Sequence, residues 1–248
     1  MIHSILMIGQ SNMAGRGIPS EVEPIKNKNL RVLRNGRWQN LFVPVNPDRP
    51  WAGISLAESF ADEYSKAHPD VEVGLIPCAD GGTSIKMWGK DSILFDHAKY
   101  MTELAKRTSH VVAIIWHQGE GDCRSVDYPL YKDRLITFIN DFRREAGLEG
   151  VPFIIGGLGD FLLRRSDYEL ENFAHINAAL EEVAATVPGV AFASAVGLDC
   201  NIDNLHFCSS ALREFGVRYY RAFEPLEMTI ADEGEKENAA EQSSMERL

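Results

Sequence analysis

The chain has 248 residues, 45% hydrophobic and 25% charged, with a net charge of −11. That balance fits a folded globular protein and excludes a disordered, collagen-like or membrane-spanning chain. The acidic charge repels phosphate backbones and so argues against general nucleic-acid binding, though residues 231–248 alone carry −4 of it. The longest apolar run, residues 111–116, falls far short of the roughly 18 residues that cross a bilayer.

Residues 4–9 (SILMIG) form a short apolar run that breaks at Gly9-Gln10-Ser11-Asn12, as a buried strand running into a turn does. Residues 16–50 are irregular and hold five prolines. Within them, residues 31–43 suggest a hairpin, because Asn35-Gly36 fits a type I′ turn. A loop this long in a compact domain is usually functional. Residues 54–67 carry apolar side chains at a helical period, and Pro69 ends that helix. Residues 71–78 (VEVGLIPC) predict a second strand leading into Asp80-Gly81-Gly82. A helix over 92–107 follows, then a buried strand over 111–116 (VVAIIW) that runs into HQGEGD. The remaining pattern is a helix over 128–146, a strand over 151–158, a helix over 168–187, a strand over 190–196, and a last helix over 209–223 with Ser209 as its cap.

Five strands that are apolar throughout, alternating with helices, predict a sheet covered on both faces. The fold class is therefore α/β: a three-layer α/β/α sandwich around a five-stranded, mainly parallel, flavodoxin-like sheet. No linker divides residues 1–225, which read as one domain. Residues 226–248 are polar and acidic and are expected to form a disordered tail. The four cysteines contain no C-x-x-C pair, no N-x-S/T acceptor occurs, and the N-terminus lacks a signal-peptide pattern. These features predict a cytoplasmic protein with reduced thiols. Nothing in the pattern sets an oligomeric state.

In an open parallel sheet ligands bind beyond the carboxyl ends of the strands. Most of the small and polar singularities of this sequence fall there. Ser11 follows the first strand; it reads as a helix cap, or as a nucleophile beside the free N–H groups of a helix start. A nucleophilic serine needs a base, and Asp203-x-x-His206 offers an imidazole with a carboxylate to hold its tautomer. Taken alone, D-x-x-H also reads as an aspartate turn with a stray histidine. Gly81-Gly82 reads as a tight turn or as a backbone N–H brought close to a ligand. Gln118 reads as a loop amide or as an oxyanion donor. Trp116 reads as core. His117 and Glu120 stand three apart, a poor metal signature without H-E-x-x-H.

The blocks GQSNMAGRG, DGGTSI, WHQGEGD and DNLHF, in that order, resemble the SGNH hydrolase superfamily, and within it the carbohydrate acetylesterase branch of sialate O-acetylesterase and acetylxylan esterase relatives. The resemblance spans roughly residues 1–223 and implies a three-layer α/β/α fold. It implies Ser11 as nucleophile, His206 as base and Asp203 as the carboxylate behind it. It places the oxyanion hole at the N–H groups of Ser11 and Gly82 and the side chain of Gln118. The wider superfamily has Asn where Gln118 stands, and the HQGE form points to the acetylesterase branch. Glu120 matches a supporting carboxylate, catalytic or structural. Arg16 matches a branch position to which its chemistry assigns no role.

The implied activity is removal of O-acetyl groups from a sugar or oligosaccharide, with no metal and no organic cofactor. The tryptophans Trp38, Trp51 and Trp88 are expected to shape the pocket. Three other readings stay open. One is an esterase or thioesterase acting on another acyl group. Another is a metallohydrolase using His117, Glu120, Asp122 and His206. The third is a non-catalytic carbohydrate-binding protein, against which the intact Ser11, Asp203 and His206 argue.

Overall fold

The described residues form seven strands and six α-helices: β1 (Ile2–Gly9), α1 (Ser11–Ala14), β2 (Leu30–Arg34), β3 (Arg37–Asn40), α2 (Leu56–Ala67), β4 (Glu72–Pro77), α3 (Ile93–Lys106), β5 (Ser109–His117), α4 (Tyr131–Ala146), β6 (Phe153–Gly156), α5 (Phe173–Thr186), β7 (Val190–Ala193) and α6 (Ser209–Met245). The computed structural model describes residues 2–123, 126, 128–165 and 172–245, with residues 228–245 described by backbone alone. All seven strands join one sheet, in the order β3-β2-β4-β1-β5-β6-β7. Every neighbouring pair is parallel except the β2–β3 hairpin.

The sheet therefore has seven strands where five were expected. The five expected strands are β1, β4, β5, β6 and β7, in flavodoxin-like order. The two additions are the expected hairpin. Asn35 and Gly36 both have positive φ, as a type I′ turn requires. The hairpin joins the sheet because Leu30, Val32 and Leu33 are buried, and β2 pairs in parallel with β4 from Leu30–Val73 to Val32–Leu75. That pairing spans some forty residues and has no local signature.

The central strand β1 is apolar on both sides because helices cover both faces of the sheet. Ile5, Leu6, Met7 and Ile8 are fully buried. α2 and α6 pack on one another, with α2 against β4 and α6 against β6 and β7. α3, α4 and α5 pack in series, with α3 against β5 and α5 against β7. Helix starts follow their caps. Ser55 and Glu58 form a capping box on α2, and the Ser92 hydroxyl accepts from the Phe95 amide at the start of α3. Left-handed Gly147 closes α4.

Two helices differ from expectation. Residues 168–171, expected as the first turn of α5, lie outside the described residues, and α5 is described from Phe173. α6 does not end near residue 223, and residues 226–245, expected as an unstructured tail, continue its backbone helix. The Glu, Ala, Lys and Gln of that stretch are good helix formers, which accounts for the continuation where no apolar face was apparent.

From β1 the chain moves first to the β4 side and later to the β5 side, so the strand order reverses between β1 and β5. A crevice opens at the carboxyl end of such a reversal. No helix among the described residues is long and apolar enough to cross a membrane.

Candidate active site

Gly9 ends β1 with φ +125, and a Cβ there would sit 2.2 Å from the His117 carbonyl oxygen. Only glycine lets β1 and β5 approach this closely just before the turn. The Met13 and Ala14 amides both donate to the Gln10 carbonyl, so Gln10 occupies the cap position of α1 and Ser11 is its first helical residue. The Ser11 hydroxyl is thus not the cap. It lies 2.9 Å from His206 Nε2 instead.

His206 arrives from the loop after β7. Its Nδ1 lies 2.6 Å from Asp203 Oδ2. Asp203 Oδ1 accepts from the backbone amides of Leu205 and His206, and Asn204 turns the chain at positive φ. Burial alone pushes the Asp203 carboxyl up, but the His206 amide, the His206 ring and the Leu205 amide together hold it below its ordinary value. An ionised Asp203 places the imidazole proton on Nδ1 and leaves Nε2 free to accept the serine proton. The bases of α1 and of the 203–206 loop are 195 positions apart in sequence and in hydrogen-bond contact in space.

The loop after β4 brings Gly81 and Gly82. A Cβ on Gly81 would come within 3.5 Å of the Ser11 Cβ and would clash with Arg16 Nη2 and Asp48 Oδ2. Gly82 has φ +79 with open space where a Cβ would point. Among the described residues, the amides of Ser11 and Gly82 have no hydrogen-bond acceptor. Both are free to hold an anion.

Gln118, expected to aim its side-chain amide at that anion, is fully buried. Its Nε2 lies 2.6 Å from Asp122 Oδ2, 3.0 Å from the Thr83 carbonyl oxygen and 3.2 Å from Gln10 Oε1. Two N–H groups thus face three acceptors already in place. Glu120 contacts Asn12 and His117, with its Oε1 accepting from Asn12 Nδ2 and lying 3.4 Å from His117 Nε2. Burial pushes the Glu120 carboxyl up, and His117 and Asn12 outweigh it and hold it below the usual range. The Tyr219 hydroxyl donates to the Trp116 carbonyl, so His117 Nδ1 is the donor toward Tyr219.

These contacts occupy the residues of the metal reading. His117 faces Tyr219 and Glu120, Asp122 accepts from Gln118 and from the Ile85 amide, and His206 bridges Ser11 and Asp203. Among the described residues no group of three or more His, Cys, Asp or Glu is arranged to hold a metal ion.

Two sets of residues that sequence reasoning passed over, or left without a role, organise the site. Asn12 joins two walls of the crevice: its Nδ2 donates to Glu120 and to the Leu205 carbonyl, and its Oδ1 accepts from the Phe207 amide. It therefore ties the His206 loop to the turn that follows β5. Arg16 makes a two-pronged bond to Asp48, at 3.0 and 2.7 Å, with both side chains about 5% exposed or less. Asp48 Oδ2 also accepts from the Gly81 amide. Arg49 adds bonds to Asp80 Oδ1 and the Gly81 carbonyl, and Asn46 pairs with both backbone groups of Ala79. The irregular segment thus braces the loop that carries Gly82. Its only sequence signal was its length and its five prolines. Asn12 had none beyond its place beside Ser11.

Of the expected pocket tryptophans, Trp88 is fully buried against Trp116, and its Nε1 donates to Thr83. Trp38 packs over Gly74 within the sheet and donates to Thr108. Trp51 alone stands out, 69% exposed.

A family model described as carbohydrate esterase, sialic acid-specific acetylesterase, matches residues 2–224. The probable carbohydrate esterase At4g34215 of Arabidopsis thaliana is 27% identical over 244 residues, 88% of each chain. The X-ray structure of that plant protein superposes with a TM-score of 0.78 at 25% identity, covering 90% of this chain and 98% of the other. The crystal structure of NanS superposes at 0.70 and 18% identity over 90% of this chain and 97% of NanS. XAC1771, a carbohydrate acetylesterase from Xanthomonas citri, does so at 0.70 and 20% identity over 92% of this chain and 57% of its own. The last two share the fold.

Proposed function

Because this chain belongs to the sialic acid-specific acetylesterase family of carbohydrate esterases, and so is a carboxylic ester hydrolase, we propose that it removes O-acetyl groups from acetylated sugars or oligosaccharides through a serine-bound acetyl intermediate. The observation that carries this reading is the relay Ser11 Oγ–His206 Nε2–Asp203 Oδ2, at 2.9 and 2.6 Å.

In the first half-reaction Ser11 Oγ attacks the acetyl carbonyl carbon as His206 Nε2 takes the hydroxyl proton. The oxygen that becomes negative is held by the N–H groups of Ser11 and Gly82. A preformed donor of this kind is worth roughly 10²–10³ in kcat. Gln118 joins them only by releasing Gln10 or Thr83. Collapse of the tetrahedral species breaks the bond to the sugar oxygen, which leaves with the proton from His206. In the second half-reaction water attacks the acetyl-serine, His206 takes its proton, and acetate departs as Ser11 is reprotonated. Asp203 holds the imidazole and stabilises its charged form throughout.

The test combines a label with a product assay. A fluorophosphonate is expected to modify the wild-type chain at Ser11 and to leave Ser11→Ala unmodified. Acetate release from acetylated xylo-oligosaccharides or acetylated sialic acids should fall by about 10³-fold or more in Ser11→Ala and His206→Ala, with unfolding temperatures unchanged. Activity on simple esters should drop steeply as the acyl chain lengthens beyond acetyl. Near-full turnover in His206→Ala would show that another group is the base, and a preference for long acyl chains would remove the acetyl assignment.

A further inference from the structure

Trp51 is 69% exposed, and the segment that carries it is tied both to the loop of Gly82 and to the helix of Ser11. The Ala52 amide donates to the Arg49 carbonyl, closing a tight turn around residues 49–52. On one side of that turn Arg49 is bonded to Asp80 Oδ1 and to the Gly81 carbonyl oxygen, both at 2.9 Å. On the other side the Gly53 amide donates to the Gly15 carbonyl at 3.1 Å, and Gly17 pairs with Ile54. Gly15 in turn donates to the Ser11 carbonyl. Trp51 is thus two residues, no more than about 7 Å of chain, from an anchor on the loop of Gly82 and from an anchor on the helix of Ser11.

Leaving an indole in water forgoes the burial of roughly 150–250 Å². The other tryptophans avoid that cost: Trp88 and Trp116 are fully buried, and Trp38 lies across Gly74. A pyranose offers one face of C–H groups, apolar and flat enough to lie on an indole, while its hydroxyls stay at the edge. An exposed ring carried between those two anchors suits that face and does not suit an acetyl group, which is too small to cover it.

Resting on the esterase reading above, we propose that Trp51 is the platform on which the sugar ring of the substrate stacks. It sets how the glycan is presented to Ser11 and makes the enzyme prefer acetylated sugars over other acetyl esters of similar reactivity. The chemistry at the carbonyl does not involve it.

The test compares substrates that do and do not contain a ring. Wild type, Trp51→Ala and Trp51→Phe are assayed on O-acetylated xylobiose, on 9-O-acetyl-N-acetylneuraminic acid and on triacetin, an acetyl ester with neither sugar nor aromatic ring. Trp51→Ala is expected to raise KM roughly tenfold, the loss of about 1.4 kcal/mol of binding, on whichever sugar ester the wild type cleaves. kcat should stay within about twofold. Trp51→Phe should recover most of the loss, and kcat/KM on triacetin should be unchanged in both variants. An unaltered KM for the sugar ester in Trp51→Ala overturns the platform while leaving the esterase intact. A parallel loss on triacetin also overturns it, since the residue would then act on the site and not on the ring. A wild-type chain that releases acetate from none of the three overturns the esterase reading itself.

Discussion

The loops at residues 79–82 and 199–208 carry the groups that the proposed mechanism brings to Ser11, and they are held in different ways. The first is braced from outside. Asn46, Asp48 and Arg49 reach it from a segment more than thirty positions away, and Arg16 holds Asp48 in turn. The second largely braces itself. Asn201 donates to the His206 carbonyl, Cys208 donates to the Asp199 carbonyl, and Asp203 accepts from the two amides that follow it. Its ties to the rest of the fold are fewer: Asn12 meets Leu205 and Phe207, Arg165 donates to the Asp203 carbonyl, and Asn201 donates to the Arg16 carbonyl. The difference follows from what each loop supplies. The first offers a backbone N–H, which carries no side chain to orient it and must be placed by its surroundings. The second offers an imidazole, and the carboxylate that fixes its proton also fixes its loop.

The largest effect that would break this contrast is expected at Asp48. Asp48→Ala leaves the Arg16 guanidinium buried without its partner and the Gly81 amide without its acceptor. Loss of one member of a buried pair costs about 3–5 kcal/mol, which for a chain of this size lowers the unfolding temperature by roughly 10 °C. Calorimetry checks it, and esterase activity should fall with the loop's order. Replacing Arg16 and Asp48 together by Leu should recover much of the stability and little of the activity. A single Asp48→Ala variant as stable and active as wild type would mean that the loop needs no outside brace.

A smaller effect is expected at Asn12. Asn12→Ala strips the Phe207 amide of its acceptor and Glu120 of a donor, at about 1–3 kcal/mol. Because the 199–208 loop keeps its internal bonds and those of Arg165 and Asn201, the variant should fold. kcat should drop by about ten- to a hundredfold while KM stays near wild type, and fluorophosphonate labelling should slow in step. Unchanged kcat would make Asn12 a purely structural residue.

The smallest effect concerns pH. The folded Glu120 carboxyl lies below its ordinary value. A depressed carboxyl contributes stability that is complete above the unfolded value, about 4.3, and is lost as pH falls through the folded one. Glu120→Gln keeps an oxygen for Asn12 and removes the titration. Its unfolding temperature should therefore fall less steeply than that of wild type between about pH 5 and pH 3. Equal slopes in the two proteins would show that Glu120 does not titrate on folding.

The apolar strands β1, β4, β5, β6 and β7, the type I′ turn at Asn35-Gly36 and the order of the four polar blocks were legible from residue types alone. Each depends on a few adjacent side chains: a run of buried aliphatics, a pair of residues that tolerate positive φ, a glycine where backbones meet. Ser11, Asp203 and His206 were legible as candidates because Ser11 follows the end of β1 and the other two lie on the loop that follows β7. The parallel pairing of β2 with β4, the helical continuation beyond residue 225 and the burial of Trp88 were not.

What the linear order could not decide is which polar group each buried donor meets. Gln118 was free to face the substrate until folding set Gln10 and Thr83 beside its Nε2. Arg16 acquires its purpose only when Asp48 closes on it, and Asn12 only when residues 120 and 205–207 arrive together. A local pattern of residue types sets strand, turn and cap because neighbours in sequence are neighbours in space. A buried hydrogen bond between groups 30 to 190 positions apart is chosen by the closure of the whole sheet.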